Sequence, residues 1–196
     1  MSLTNKDELR DDLFIDAIEV FGYYEDTFRD FTAQIKIIEA DDDPVVIGKS
    51  SGWIGWHIEG EDIWYSADAI DSDAATLGAA ASEIIEWLEE NGDVWIDTIL
   101  FIDRVKLKKQ YRGHRLVRTI IERLIDFLRL NRDSTLVVLQ PEPQQEQGGP
   151  YPVSPVRDAA LAKLRAAHDA TGLQQWRDSD VWWLPGDLVP ELAEQD

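Results

Sequence analysis

The chain has no cysteine and only three histidines, and both shortages exclude kinds of chemistry. Without cysteine there are no disulfides, no thiolate metal sites and no thiol nucleophiles. His57, His114 and His168 are scattered and lack the paired spacing of a zinc site, so we predict no bound metal. The lack of disulfides agrees with a reducing compartment, and we predict a cytoplasmic location.

Long apolar runs and basic residues are also scarce. No apolar run reaches the roughly 18 residues of a membrane span, and the start, "MSLTNKDELRDD", is too acidic and polar for a secretory signal. The chain has 39 Asp and Glu but only 19 Lys and Arg, and the resulting net charge of −20 repels nucleic acid. Such a surface either favours cationic partners or only keeps the protein soluble. We expect one domain, residues 1–196.

The few basic residues are concentrated in one segment, residues 104–132. The segment has two acidic residues, Glu122 and Asp126, and ten basic ones, so its charge is +8 and that of the remainder is −28. This contrast predicts an anion-binding site within the segment. Its basic residues are Arg104, Lys106, Lys108, Lys109, Arg112, Arg115, Arg118, Arg123, Arg129 and Arg132.

The hydrophobic pattern predicts an α/β fold with a mixed, mostly antiparallel sheet flanked by helices. Residues 13–24 fit either a strand or a helix, and we predict a strand. The central strand, 94–107, is expected to run parallel to 134–140, with the helix 114–130 as the right-handed crossover. The other predicted strands are 31–40, 45–58 and a hairpin in 173–186; the other helices are 71–92 and 157–172; 141–155 is a loop.

Two short motifs resemble known catalytic signatures but lack their context. "GKSSG" (48–52) has the G-x-S-x-G pattern, yet it lies within strands, whereas a nucleophile elbow needs a turn from strand to helix. The same "GKS" is no phosphate-binding Walker loop, because Asp43 stands where that loop needs its first glycine. We therefore expect neither a serine hydrolase nor a P-loop enzyme.

The stretch "QYRGHR" (110–115) lies where the central strand gives way to a helix. Free backbone N–H groups and the positive end of the helix dipole bind phosphate at such a turn. Gly113 lets the backbone approach an anion closely, and Arg112 or Arg115 can add charge-assisted hydrogen bonds. The segment therefore predicts a phosphate site.

"VKLKKQYRGHRL" resembles the acyl-CoA signature of the GNAT acetyltransferase superfamily, Q/R-x-x-G-x-G/A, through Gln110 and Gly113. The following strand "TLVVLQP", an Ala/Leu helix, a "GL" and the final "VWWL" fall in the family's order, over about residues 31–185. "SGWIGWHI … FIDRVKLKKQYRGH" further resembles a poorly characterised bacterial subgroup with a helical insertion before the central strand, here residues 71–92.

The resemblance implies transfer of an acetyl group from acetyl-CoA to an amine of a small molecule or a protein. The sequence does not identify this acceptor, and the acidic surface favours a cationic one. The resemblance places the cofactor on residues 107–115 (Leu107, Lys108, Lys109, Gln110, Tyr111, Arg112, Gly113, His114 and Arg115). Asp103 and Asp97 are candidate bases on the central strand, and His168 stands where many members have a tyrosine that protonates the leaving thiolate. Backbone amides of the central strand would stabilise the oxyanion.

Three points leave alternatives open. Arg115 stands where the family has Gly or Ala, so it either binds phosphate or blocks the cofactor in a non-catalytic relative that binds CoA or a partner. Asp97 and Asp103 are also explained as ordinary surface carboxylates, and His168 is better explained as a histidine on a helix surface. Trp53, Trp56 and Trp64 either line an acceptor pocket or pack in the core.

Overall fold

The computed structural model describes residues 6–22, 27–38, 43–58, 62–92, 94–143 and 151–185. Within these ranges seven strands form one sheet in the order β1-β2-β3-β4-β5-β7-β6, accompanied by five α-helices. The elements are α1 (Lys6–Asp11), β1 (Leu13–Phe21), β2 (Arg29–Ile38), β3 (Pro44–Trp56), α2 (Ile63–Asp68), α3 (Ser72–Asn91), β4 (Thr98–Leu107), α4 (Val117–Leu128), β5 (Thr135–Leu139), α5 (Pro155–Asp169), β6 (Gln174–Gln175) and β7 (Trp182–Leu184).

The sheet is antiparallel at every pairing except β4 with β5, which run parallel around the crossover α4. The predicted α/β class, the mostly antiparallel sheet and the parallel central pair are therefore confirmed. Residues 13–21 are a strand, as predicted. The parts of the predicted turns and loops that fall in 39–42 and 144–150 lie outside the described residues.

Each face of the sheet carries its own core. On one face, here called the α4 face, α1 and α4 cover Phe31, Ile35 and Ile54. On the other, the α3 face, α2 and α3 cover Ile99 and Phe101. β4 and β5 contribute alternate residues to both cores, which explains why the sequence of β5, "TLVVL", is apolar without a break.

Helices α2 and α3 form the insertion between β3 and β4, which is longer than the predicted 71–92. Asp71 caps α3 by accepting hydrogen bonds from the backbone N–H groups of Asp73 and Ala74. α2 packs closely on α3 because Gly78 has no side chain: a Cβ there would lie 2.6 Å from the Cβ of Ala67.

Two predictions about helices and strands need correction. The central strand begins at Thr98 and not at residue 94. Residues 94–97 are joined to their neighbours by two backbone hydrogen bonds at Asp97: its carbonyl accepts from the N–H of Ile58, and its N–H donates to the Ser134 carbonyl. The crossover helix begins at Val117 and not at residue 114; it buries Ile121 and leaves Phe127 exposed.

Candidate functional site at the end of the central strand

The central strand β4 extends beyond the end of its parallel partner β5. Pairing between β4 and β5 ends at Ile102 and Leu139, whereas β4 continues to Leu107. The chain after β5 includes Pro141 and Pro143, which have no backbone N–H to donate. Among the described residues, the β5 side of residues 103–107 therefore has no partner strand, and its backbone groups can accept an added extended ligand.

A β-bulge marks the point where β4 and β5 separate. Gly52 of β3 faces Ile102, but the preceding Ser51 faces Arg104, so Asp103 is the extra residue. The bulge brings the Phe101 carbonyl so close to β3 that a Cβ on Gly52 would lie 1.9 Å from its oxygen. Only glycine fits opposite this bulge.

Asp103 lies on the α3 face beside Asp73 and Leu77 of α3, with Glu142 nearby. Burial raises the pKa of the Asp103 carboxyl; Arg104, 3.8 Å away, opposes this, and the negative charges of Asp73 and Asp71 add to it. A carboxylate with a raised pKa is a better proton acceptor, which suits the predicted role as a base.

Beyond β4 the chain makes a 3-10 turn, Lys109–Tyr111, that is fixed at both ends. The N–H of Lys108 donates to the Ile47 carbonyl at 2.8 Å, and Tyr111 is buried in the core of the α4 face. The Nε of Arg112 donates to the Leu107 carbonyl at 2.9 Å. These contacts hold the next residues, 113–116, in a defined position.

Residues 113–116 form an open loop before α4. Gly113 (φ 79°) and Arg115 (φ 56°) both have left-handed backbone, which explains why the helix cannot begin at residue 114 as predicted. Within the described part of the chain, the N–H groups of residues 113–116 make no hydrogen bond, and α4 lacks a side-chain cap at Leu116. Unpaired amides at a helix N-terminus attract anions.

The space in front of this loop is free. A Cβ on Gly113 would meet no atom within 4 Å. Arg115 is exposed and has no hydrogen bond or ion pair within the described residues. It lines a cleft of about 630 Å³ together with Arg118 and Arg123 of α4 and Arg10 of α1. This cleft beside the open loop, where an anion site is predicted, is lined by five arginines, including Arg132, and by three carboxylates, Asp11, Glu122 and Asp126.

The remaining predicted cofactor residues differ in position. Lys108, Lys109 and Gln110 are exposed at the end of β4, and Leu107 is half-buried. His114 is half-buried, and its Nδ1 is enclosed without a hydrogen-bond partner among the described residues. Residues 107–115 therefore run from the end of β4 through the 3-10 turn into the loop before α4. Within this stretch Tyr111 has a structural role, because its buried side chain anchors the turn.

Asp97 lies at the opposite end of β4, about 20 Å from Asp103 at the usual rise per residue. Its carboxylate is 3.1 Å from Nδ1 of His57 and accepts a hydrogen bond from the Thr98 hydroxyl. It precedes the strand, contrary to the prediction, and the structure does not bring it to the loop.

His168 is buried on the α4 face, its ring packed against Trp182. Trp182 pairs with Leu139, which in turn pairs with Ile102, the last paired residue of β4. Burial lowers the pKa of His168, and the hydrogen bond of its Nδ1 to the Leu164 carbonyl opposes the shift. His168 therefore lies on the face opposite Asp103, beside β7, which β5 separates from β4.

Arg118 was not among the predicted site residues. It lies in the first turn of α4, pairs with Glu122 at 2.8 Å and donates to the Thr171 carbonyl at 3.3 Å, so it links the start of α4 to the turn that follows α5. The sequence feature that could have indicated Arg118 is its spacing of three residues from Arg115, which places two side chains on the same side of a helix. No sequence signal indicated that Asp73 lies beside Asp103, because 30 residues separate them.

Comparison with family models, with curated proteins and with solved structures gave no match to this chain. In the described residues no helix combines the length and the apolar character that crossing a bilayer requires. Nor do these residues contain a group of three or more His, Asp or Glu side chains placed so that they could hold a metal ion. The functional argument therefore rests on the geometry of the site.

Proposed function

We propose that the protein is an acetyl-CoA-dependent N-acetyltransferase of the GNAT type. The observation that carries the proposal is the run from the open edge of β4 into the amide loop at residues 113–116. An acyl-CoA has an extended arm with two amides, followed by a pyrophosphate. Strand-like pairing with residues 103–107 and anion binding at the loop would hold these two parts in the same order.

The residues at the site fit such a ligand. Gly113 leaves room for phosphate, and the unpaired amides of residues 113–116 and Arg115 provide donors. When bound, the thioester supplies the acetyl group. Asp103 accepts a proton from the attacking amine, which must be neutral to react, and backbone N–H groups on the open side of β4 would stabilise the developing negative charge.

His168 remains the candidate for returning a proton to the leaving thiolate. Because Nδ1 donates to the Leu164 carbonyl, Nε2 is the nitrogen left for this role. The lowered pKa keeps the ring neutral at pH 7, so donation requires that Nε2 first take up a proton, for example the one removed from the amine.

The proposal is tested by thermal unfolding with and without ligands. Acetyl-CoA should raise the melting temperature in a saturable way, by about 2.7 kcal/mol of added stability at a hundredfold excess over Kd. ADP shares the pyrophosphate but lacks the amide arm, and it should stabilise less. No shift at millimolar acetyl-CoA, or equal shifts with acetyl-CoA and ADP, would contradict the proposal.

Arg115 favours a second candidate, a non-catalytic relative that binds CoA or a partner, because it stands where the family has a small residue. The two candidates separate in an assay of acetyl-CoA-dependent thiol release with a panel of amines. An enzyme releases CoA thiol with at least one amine, whereas the relative shows binding in the thermal assay and no release with any of them.

A further inference from the structure

Helix α2 presents two large aromatic side chains to solvent. Its inward side is formed by Ile63 and Ala67, which are buried against α3. Trp64 and Tyr65 lie on the outward side and are 48% and 68% exposed. Two adjacent exposed aromatic residues on a short helix contribute little to the core, so their surface is available to a partner.

The segment of the chain that carries these aromatic residues is strongly acidic. Residues 58–103 contain thirteen acidic and no basic residues, a charge of −13. The carboxylates of Asp62 and Asp71 accept backbone hydrogen bonds as helix caps. Asp68 and Asp73 are exposed and form no ion pair within the described residues.

This acidic and aromatic surface, defined by Trp64, Tyr65, Asp68 and Asp73, reaches the proposed site. Asp73, in the first turn of α3, lines a small pocket together with Asp103 of the β4 bulge. A ligand held by Asp73 therefore lies beside Asp103, in a pocket that Arg104 also lines. The surface approaches Asp103 from the α3 face, whereas the arginine cleft lies on the α4 face.

We propose that the acidic and aromatic surface docks a lysine-rich polypeptide segment. Ammonium groups bind both to carboxylates and to the faces of Trp and Tyr rings. Because the carboxylates and rings are spread over two helices, several cations along one chain match them better than a single small amine. The same surface on a second copy would bring like charges together, which disfavours a symmetric dimer here.

The inference gives the proposed enzyme its acceptor class, and its catalytic meaning rests on that proposed function. A segment docked on α2 would present one lysine amine to Asp103, while its other lysines contact Asp68, Asp73 and the two rings. Docking itself does not depend on acetyl transfer, so binding and reaction can be measured separately.

Binding is tested by fluorescence anisotropy with a labelled peptide of alternating lysine and glycine at low salt. The double variant Trp64→Ala with Tyr65→Ala should weaken binding about tenfold, as expected for two exposed cation–π contacts. A second double variant, Asp68→Asn with Asp73→Asn, should weaken it similarly and keeps both rings. Thermal unfolding of each variant checks that it is folded.

Matched controls come from the far end of α3. Trp95 is 57% exposed, and Glu89 and Glu90 are exposed in the last turn of the helix. Trp95→Ala and the pair Glu89→Gln with Glu90→Gln should change peptide affinity less than twofold. Equal losses in these controls would reduce the effect to diffuse attraction by an acidic protein and overturn the proposal.

Three other results would also overturn it. The first is that the wild type does not bind the peptide. The second is that spermidine displaces the peptide at equal total charge, which would indicate that the ligand is a small polyamine. The third is that the wild type is a dimer that dissociates in the aromatic double variant. A peptide that binds as expected but is not acetylated contradicts the proposed function alone. Acetylation of the peptide that is unchanged in both surface variants contradicts only the docking surface.

Discussion

Arg115 combines a left-handed backbone (φ 56°) with a long cationic side chain that has no partner in the described residues. The side chain lines a wide cleft and does not fill the space in front of Gly113. We therefore expect it to bind phosphate. Arg115→Ala should weaken acetyl-CoA binding by about 1.5–3 kcal/mol, the usual contribution of a hydrogen bond to a charged group, measured by calorimetry.

Arg115→Gly provides the matched comparison for this prediction. It also removes the guanidinium and should weaken binding equally, but it relieves a backbone conformation that costs non-glycine residues about 1–2 kcal/mol. Its free energy of unfolding should therefore exceed that of Arg115→Ala. If Arg115→Gly instead binds acetyl-CoA more tightly than the wild type, the arginine obstructs the site, and the non-catalytic candidate gains support.

Asp103 gives a pH-dependent prediction. Its folded pKa is raised, so between pH 3.8, its ordinary value, and the raised value the folded state binds more protons than the unfolded state. Stability then falls as pH rises through this window, and the loss persists above it. Asp103→Asn removes the buried charge and should melt at a higher temperature than the wild type at pH 7, with the difference shrinking towards pH 4.

The control for Asp103 is Asp178→Asn, in an exposed turn. This substitution should leave the melting temperature nearly unchanged at both pH values. Thiol release by Asp103→Asn should drop at the same time if Asp103 accepts the amine proton. A variant that is more stable but fully active would remove Asp103 from the mechanism.

At the scale of elements, Gly52 is required by the bulge in β4. A methyl group there would lie 1.9 Å from the Phe101 carbonyl oxygen, so β3 and β4 must separate to accept it. We expect Gly52→Ala to lose about 3 kcal/mol of stability or more in chemical denaturation. Gly113→Ala meets no neighbouring atom and should lose only about 1–2 kcal/mol, through its left-handed backbone (φ 79°).

The two glycine substitutions should also differ in binding. Gly113→Ala places a methyl group in the free space before the loop and should weaken acetyl-CoA binding in a protein that remains folded. If Gly52→Ala and Gly113→Ala lose similar stability, then the bulge in β4 does not bring the Phe101 carbonyl close to Gly52.

Elements with a long hydrophobic pattern were predictable from the sequence, and elements fixed by contacts were not. The alternation of apolar and polar residues predicted β2 and β3, and the apolar stripe predicted α3. The predicted ends that lie in the described residues agree with the structure within about two residues. α2 was missed because its six residues depend on packing against Gly78. The start of α4 was misplaced because nothing in the sequence shows that a residue such as Arg115 has a positive φ.

The candidate site was predictable only in part for the same reason. The charge pattern and the glycine located residues 107–115, since these are local features of the sequence. The end of the β4–β5 pairing at Ile102, the bulge at Asp103 and the neighbouring Asp73 arise from contacts between distant segments. Asp97 and Asp103 look alike in sequence, yet the fold places them at opposite ends of one strand.

At the scale of the whole molecule, the sheet separates two opposite charges. The stretch 58–103, with its charge of −13, supplies α2 and α3 on one face, whereas the cleft on the other face is lined by five arginines and three carboxylates and is net positive. An anionic donor and a cationic acceptor would thus approach from different sides and meet at the open edge of β4. Under the proposed function, each face would attract one substrate and repel the other.

This distribution predicts opposite salt effects on stability and on donor binding. Between 10 and 150 mM NaCl the screening length falls from about 30 to about 8 Å. The melting temperature should rise, because repulsion within a chain of net charge −20 weakens, and each kcal/mol relieved corresponds to about 2–4 °C. Acetyl-CoA affinity should fall over the same range, because the arginine cleft is screened as well. Choline chloride should reproduce both trends if no specific sodium site is involved. A melting temperature that falls with salt would show that ion pairs such as Arg132–Asp126 and Arg118–Glu122 outweigh the net repulsion.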